Sequence, residues 1–197
     1  MNAVVLILGL AALVLVLSIS VYNRLITLRN RFKNAFAQID VQLQRRHDLI
    51  PNLVEAARAY MAHEKETLTK VTEARNQAES ARQAARSNPE NGNAITTLGR
   101  AESVLGGSLA NFLAVSENYP DLKANESIRN LMEELSSTEN RVGFARQAFN
   151  DAVMNYNTYR EQIPNNIIAG FFGATFQPAQ LLEIENTNAR KAPAVSF

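Results

Sequence analysis

The chain has 197 residues, a net charge of +1, no cysteine and no tryptophan, and only 8 glycines and 6 prolines. Scarce glycine and proline favour helices over a β-sandwich or a β-barrel. The lack of cysteine excludes a disulfide framework and a thiolate metal site. The nearly balanced charge argues against a nucleic-acid binder.

The first predicted element is an uncharged apolar run from Ala3 to Tyr22. About twenty such residues form a helix that can cross the ~30 Å hydrocarbon core of a bilayer. The alternative is a signal peptide cleaved before Val21. A signal peptide, however, begins with a basic region and has an apolar core of only ~7–15 residues. We therefore predict a retained transmembrane anchor over residues 1–23. Its membrane-spanning positions include Ala3, Leu6, Leu10, Leu13, Leu17 and Tyr22.

Basic residues follow the apolar run directly. From Arg24 to Arg46 there are six basic residues and one acid, and from Glu117 to Glu139 the balance reverses. Both stretches could be solvated helix faces. Alternatively, the first could be a basic collar that contacts anionic headgroups, with each charge contributing on the order of 1 kcal/mol to membrane binding. The candidate headgroup contacts are Arg24, Arg29, Arg31 and Lys33. Basic residues beside a span favour the cytoplasmic side, so we predict a single pass with the N-terminus outside and the bundle in the cytoplasm.

Apolar residues at spacings of three and four predict one helical rod from Arg24 to Arg86. Pro51 lies inside this rod, removes one backbone hydrogen bond and disfavours helical geometry at Ile50. A kink is expected rather than a reversal, because the apolar stripe keeps its face beyond the proline. A loop is predicted at residues 87–93, where serine, asparagine, proline and glycine are concentrated.

Two further helices are predicted, from about Ala94 to Glu117 and from about Asn125 to Pro164. The second of these has the heptad spacing that is typical of coiled-coil-like packing. The predicted fold is therefore all-α: a transmembrane helix that continues into an antiparallel bundle of three long helices. The bundle would occupy residues 24–163, and an apolar, irregular tail would occupy residues 164–197.

These helix lengths leave part of the first rod uncovered. The rod would be ~95 Å long, against ~36 Å and ~55 Å for the other two helices. A bare apolar stripe of this size normally marks an interface. Either Pro51 folds the rod back into a four-helix bundle or other copies cover the stripe, and we favour a homo-oligomer. The candidate oligomer seam is Leu25, Leu28, Phe32, Phe36, Ile39 and Leu43.

The tail combines Ile167, Ile168, Phe171, Phe172 and Phe176 with glycine and proline. We expect it to fold back on the bundle. The alternatives are a position in the membrane interface and the covering of a neighbouring subunit.

No residue spacing in the chain is typical of an active site. The two His-acid neighbours, at residues 47–48 and 63–64, point ~100° apart on a helix. Arg45 and Arg46 are interpreted as part of a solvated charged face. The Glu-x-x-His motif of di-iron bundles, a Walker loop and a nucleophile elbow are all absent from the sequence. We predict no enzymatic activity, no catalytic residue, no metal site and no cofactor.

Distinctive strings extend over nearly the whole chain: AFAQIDVQLQRRHDLIPNLVE, YMAHEKETLTKVTEAR, NYPDLKAN, STENRVGFARQAFNDAVMNYNTY, IPNNIIAGFFG and APAVSF. They resemble the LemA family of bacterial membrane-anchored proteins, which usually has tryptophan where this chain has Phe36. The resemblance implies an N-terminal span, a long-helix antiparallel bundle, an outside-to-inside topology and an association with the bacterial envelope. We therefore expect the anchor to lie in the inner membrane. The resemblance implies no catalytic residues. Links between some relatives and membrane stress proteases imply a partner-binding role.

The leading functional hypothesis is a non-enzymatic, membrane-anchored scaffold or adaptor of the bacterial envelope. It would self-assemble through its long helices and bind envelope proteins or membrane proteases. One alternative is a sensor whose bundle binds a ligand and shifts the anchor helix. Another is a membrane-shaping protein whose basic collar and phenylalanine-rich tail both contact lipid. Membrane lipid and further copies of the chain are the other expected partners, and nucleic acid is not expected.

Overall fold

The structure, a computed structural model, describes residues 2–173 and 175–184. Within these residues the structure contains helices and no β-strand, so the predicted all-α class is confirmed. The six helices are α1 (Asn2–Arg58), α2 (Lys65–Ser87), α3 (Gly92–Ser116), α4 (Pro120–Ala124), α5 (Glu126–Glu161) and α6 (Asn165–Phe171).

Helix α1 is continuous for 57 residues and contains Pro51. The expectation that Pro51 does not reverse the chain is therefore confirmed. The expectation of one rod to Arg86 is wrong, because α1 ends at Arg58 and the chain turns back over residues 59–64. The carbonyl of Ala57 accepts hydrogen bonds from the amides of Tyr60 and Met61 in this turn. The turn contains neither glycine nor proline, and the apolar spacing of α2 continues that of α1, which hides the break in the sequence.

The four long helices form an up-down-up-down bundle. Helix α2 returns along α1, α3 packs on α2, and after the short α4 the chain returns along α1 as α5. Two ion pairs fix the levels: Lys33 bonds Glu90 in the α2–α3 loop at 3.0 Å, and Arg45 bonds Glu134 near the start of α5. The bundle therefore has four long helices rather than the predicted three.

The stripe proposed as an oligomer seam lies inside this bundle. Leu25, Leu28, Phe32, Phe36, Ile39 and Leu43 are all between 0% and 4% exposed. On α5, the ring of Phe149 lies 6.5 Å from that of Phe32 and 5.7 Å from that of Phe36, and the ring of Tyr156 lies 5.2 Å from that of Phe32. The prediction that the stripe lacks a partner within the chain is wrong, because the fold-back at residues 59–64 ends α1 early and lets α5 return along its proximal half. Self-association stays a prediction, but these six residues are not available to form its interface.

The core consists of two apolar clusters. The proximal cluster extends along α1 from Val21 to Leu43 and includes Phe149 and Tyr156. The distal cluster lies around Ile50, Phe112 and neighbouring apolar residues of all five helices α1 to α5. Charged side chains occupy the level between the two clusters.

The tail folds back on the bundle as expected. Helix α6 packs on α1 and α5, and Phe176 and Leu182 are fully buried in the proximal cluster. The tail is not irregular throughout, because it begins with α6. The remaining predicted tail residues, 185–197, lie outside the described part of the chain.

The apolar segment at the start of α1 is long and apolar enough to cross a membrane. Residues 3–17 are all exposed, and the first buried residue is Val21. The bundle therefore begins where the uncharged run ends.

Because α5 covers the α1 stripe with Phe149, removing this ring is expected to destabilise the fold strongly. Phe149→Ala is expected to lower the free energy of unfolding by about 3–5 kcal/mol, because a fully packed ring leaves a cavity. The matched control is Phe144→Ala on the same helix, which is 74% exposed and is expected to change stability by less than about 0.5 kcal/mol. Chemical denaturation of the detergent-solubilised chain measures both. Equal effects of the two variants would contradict this packing.

Candidate functional site

A charged layer crosses the middle of the bundle, between the two apolar clusters. His47 and Glu102 have no exposed surface, and Arg46 is 3% exposed. The layer consists of Asp40, Arg46 and His47 on α1, Glu79 and Arg82 on α2, and Glu102 on α3. Charged groups are rarely buried unless they are paired. The interpretation of Arg46 as part of a solvated face is therefore wrong.

His47 connects three helices. Its Nδ1 lies 2.9 Å from Oε2 of Glu79, and its Nε2 lies 2.8 Å from Oε1 of Glu102. An ionised carboxylate only accepts hydrogen bonds, so both contacts are satisfied when both ring nitrogens carry a hydrogen. The backbone carbonyl of His47 also accepts a bond from Nε of Arg75 at 3.1 Å. Both ring nitrogens are thus occupied by the protein itself.

Arg46 extends the layer to α5. Its Nη1 donates to Oε2 of Glu102 at 2.9 Å, and its Nη2 lies 2.8 Å from Oε2 of Glu139, whose side chain is 50% exposed. The Nε of Arg46 is buried and has no hydrogen-bond partner among the described residues. All four long helices therefore contribute to one ionic network, and one donor in it is unused.

Arg82 binds two acids of the layer. Its Nε and Nη2 donate to the two carboxylate oxygens of Glu79 at 3.0 and 2.8 Å, and its Nη1 donates to Asp40. The Arg82 guanidinium, with hydrogen bonds from His47 and Gln83, holds the pKa of Glu79 well below its ordinary value of 4.5. The same hydrogen bonds from Arg82 to Glu79 raise the pKa of the Arg82 guanidinium. Both shifts favour the ionised forms of the Glu79–Arg82 pair.

A cavity of about 320 Å³ opens beside the layer, in the seam between α3 and α5. Besides Arg46 and several other polar and charged side chains, its walls include Gly107 and Leu113 on α3 and Met132 and Gly143 on α5. Helices α3 and α5 make few direct contacts with each other, so this is the open seam of the bundle.

The rest of the seam is filled by residues 175–184, here called the tail segment. Two asparagines of α5 each bond both backbone groups of one tail residue. Asn157 donates to the carbonyl of Ala179 at 2.8 Å and accepts from its amide at 2.9 Å. Asn150 does the same with Leu182, at 3.2 and 2.9 Å. Each side-chain amide thus satisfies the backbone N–H and C=O of one tail residue, as a neighbouring β-strand would do in a sheet.

The spacing of the two asparagines matches an extended chain. Seven helical residues rise ~10.5 Å, and three extended residues advance ~10 Å. The tail segment runs antiparallel to α5, and three more α5 side chains bond its carbonyls: Arg160 to Phe176, Tyr156 to Gln177 and Arg146 to Ile184. Ile184 also lines the cavity.

Gly99 lets α3 approach the tail segment closely. A Cβ at this position would collide with the backbone carbonyl of Glu183. The seam is therefore shaped for a polypeptide backbone on both of its walls.

The candidate headgroup residues are separated by the structure. Arg24 and Arg31 are exposed. Arg29 and Lys33 both bind Glu90, and Lys33 lies ~16 Å along α1 beyond Tyr22. Lipid contact stays a prediction for Arg24 and Arg31. The six candidate membrane-spanning residues lie on the uncovered start of α1, and all except the half-buried Tyr22 are exposed.

The two histidines are not brought together. His47 lies in the charged layer, and His63 is exposed in the turn between α1 and α2. Within residues 2–173 and 175–184, no cluster of acids and histidines could hold a metal ion. Sequence reasoning missed Glu79, Arg82 and Glu102 of the charged layer, and it also missed Asn150 and Asn157 in the seam. The seven-residue spacing of the two asparagines beside the apolar positions of α5 is the signal that could have indicated them.

The depressed pKa of Glu79 predicts a loss of stability in acid. Such a carboxylate stabilises the fold above its unfolded pKa, and this stabilisation is lost as the pH falls through the folded value. We expect the free energy of unfolding to fall as the pH drops below 4.5. Glu79→Gln is expected to cost about 1.5–3 kcal/mol at neutral pH and to weaken the dependence on acid pH.

Chemical denaturation over a pH series measures this dependence. The control is Glu73→Gln, an exposed carboxylate of the same helix, which should keep the pH dependence of the original chain. If Glu79→Gln also kept that dependence unchanged, Glu79 would not be held ionised by the network.

Comparison with known proteins gives one family. A search of curated proteins found no match. The sequence model of the LemA family matches residues 35–197, which include the charged layer, the open seam and the tail segment. The match covers most of the chain and confirms the resemblance seen in its sequence strings. The chain therefore belongs to the LemA family.

Proposed function

We propose that this protein is a non-enzymatic, membrane-anchored adaptor of the bacterial envelope that binds an extended segment of a partner protein in the seam between α3 and α5. The apolar segment of α1 would hold the bundle at the inner membrane. The basic residues that follow it favour a cytoplasmic bundle. Envelope proteins, membrane proteases among them, are the expected partners.

The observation that carries this proposal is the way the seam holds the tail segment. All the hydrogen bonds that Asn150, Asn157, Arg146, Tyr156 and Arg160 make to the described part of the tail go to backbone atoms. Backbone bonds do not depend on the sequence that is bound, and binding of extended peptides commonly relies on them. A seam that binds one extended chain in this way suits another of similar shape.

The cavity offers such a second chain a place beyond the tail segment. It continues the same seam past Ile184 and has apolar walls at Leu113 and Met132. Gly107 and Gly143 leave space there, because a Cβ at either position would meet nothing within 4 Å. Arg46 and Glu139 both line the cavity, Nη2 of Arg46 lies 2.8 Å from the half-exposed Glu139 carboxylate, and Nε of Arg46 has no partner among the described residues. Apolar walls with a few polar groups are typical of binding sites.

The buried acids and His47 support a binding role rather than catalysis. A general base must reach the proton that it removes. Both ring nitrogens of His47 already bond to carboxylates inside the core, and Glu102 has no exposed surface. These groups stabilise the walls of the seam.

Crosslinking in living cells tests the proposal. A photoreactive amino acid replaces Leu113, which is 44% exposed on the cavity wall, and adducts are identified by mass spectrometry. We expect a discrete protein adduct that falls at least about tenfold when Gly143→Leu fills the cavity, the effect of losing ~1.4 kcal/mol of binding.

The matched control is Gly143→Ala, which adds a methyl group but leaves most of the cavity open. It should keep the adduct and, because alanine favours helix, should not weaken the fold. An adduct that persists in Gly143→Leu would contradict binding in the cavity. Absence of any protein adduct from Leu113 would contradict the adaptor function at this seam.

A further inference from the structure

Three apolar side chains project from the base of the bundle. Ile163, Ile167 and Phe171 are 83%, 58% and 85% exposed. They follow each other at intervals of four residues in and just before α6, and are here called the α6 patch. The opposite side of α6 is buried through Ala169 against the proximal cluster. Helix α6 is thus held firmly on the bundle with an apolar surface turned outwards.

The α6 patch lies at the level where the apolar segment of α1 ends. The ring of Phe172, the next residue, lies 5.0 Å from the ring of Tyr22, and that of Phe176 lies 5.3 Å from it. Tyr22 is the last residue of the uncharged run, and Arg24 is the first charged residue of the chain. Tyrosine and basic side chains are typical of the border between hydrocarbon and headgroups.

At the level of Tyr22, the other helices of the bundle begin to bury α1. Residues 3–17 are exposed, and burial begins at Val21. A bilayer around the apolar segment would therefore end beside α6. The exposed start of α1 and the α6 patch form neighbouring apolar surfaces with no charged residue between Ile163 and Phe172.

We propose that the α6 patch inserts into the interfacial layer of the bilayer that surrounds the apolar segment of α1. This inference rests on the membrane anchor of the proposed function. Side chains of this kind bind the boundary between headgroups and acyl chains when they are held in its plane. The second contact fixes the tilt of the bundle over the membrane, because a single spanning helix can itself tilt in the bilayer and would carry the bundle with it.

Tryptophan fluorescence in lipid nanodiscs tests the proposal with the full chain. The chain has no tryptophan, so each single substitution gives one reporter. Phe171→Trp reports on the α6 patch, and Ile167→Trp reports on it independently. Phe144→Trp is the matched control, because Phe144 is 74% exposed on α5 away from the base. Leu10→Trp reports on the apolar segment itself.

Lipids brominated near the headgroup end of their chains should quench Phe171→Trp and Ile167→Trp by at least about half, and Phe144→Trp hardly at all. Leu10→Trp should be quenched more strongly by lipids brominated near the chain ends. Quenching of Leu10→Trp without quenching of either α6 reporter would overturn the proposal and leave the anchor intact. An unquenched Leu10→Trp would overturn the anchor and the inference with it.

A protein partner is the other possible cover for the patch. In that case the emission of Phe171→Trp would shift to shorter wavelength, because the indole leaves water, but brominated lipid would not quench it. This result would also overturn the lipid contact. Circular dichroism of the four variants checks that each keeps its helices.

Discussion

One unbroken helix, α1, determines how the rest of the chain is arranged. Its apolar stripe from Leu25 to Leu43 must be covered, and α5 of the same chain covers it with Phe149 and Tyr156. Because α1 passes from the exposed apolar segment into the bundle without a break, the orientation of the bundle follows that of the segment. The fold-back at residues 59–64 makes this possible, since it leaves α5 free to pair with the full proximal half of α1.

The charged layer and the open seam are two consequences of this packing. Burying an ion costs several kcal/mol, and pairing offsets this cost only when the geometry is good, so the charged layer is weak evidence for net stability. Here His47 requires α2 and α3 at one level of α1, because each ring nitrogen needs its own carboxylate. Helices α3 and α5 then stand apart, and the tail segment fills only the proximal part of the gap. The remaining cavity is bordered by Arg46, so the network that orders the core also forms one wall of the proposed binding site.

Much of the fold could be predicted from the sequence, and the failures have physical causes. The apolar run, the loop near Pro89 and the start of a helix at about Asn125 are local signals, and the structure follows them. The turn after Arg58 has no local signal, since it contains neither glycine nor proline, and Met61, Tyr60 and Glu64 hold it through contacts with distant parts of the chain. Because this turn is not predicted, the sequence indicates one long helix in place of α1 and α2, and the apolar stripe of α1 then has no partner within the predicted bundle. Likewise, nothing in the sequence distinguishes Arg46 and Glu102 from exposed helix residues, because only the packing of α3 beside α1 brings them together. Asn150 differs from an exposed asparagine only because the tail segment binds to it.

Covering of α1 by α5 within one chain can be measured directly, because the chain has no native cysteine. Spin labels at Gln38→Cys on α1 and Ala148→Cys on α5 lie on exposed positions of neighbouring helices. Pulsed dipolar spectroscopy in nanodiscs should give one distance below about 25 Å, since paired helix axes are ~10 Å apart. The account predicts that this distance and its modulation depth per doubly labelled chain persist when labelled protein is diluted into unlabelled protein. Loss of the short distance on dilution would show that another copy covers the stripe and would contradict the account.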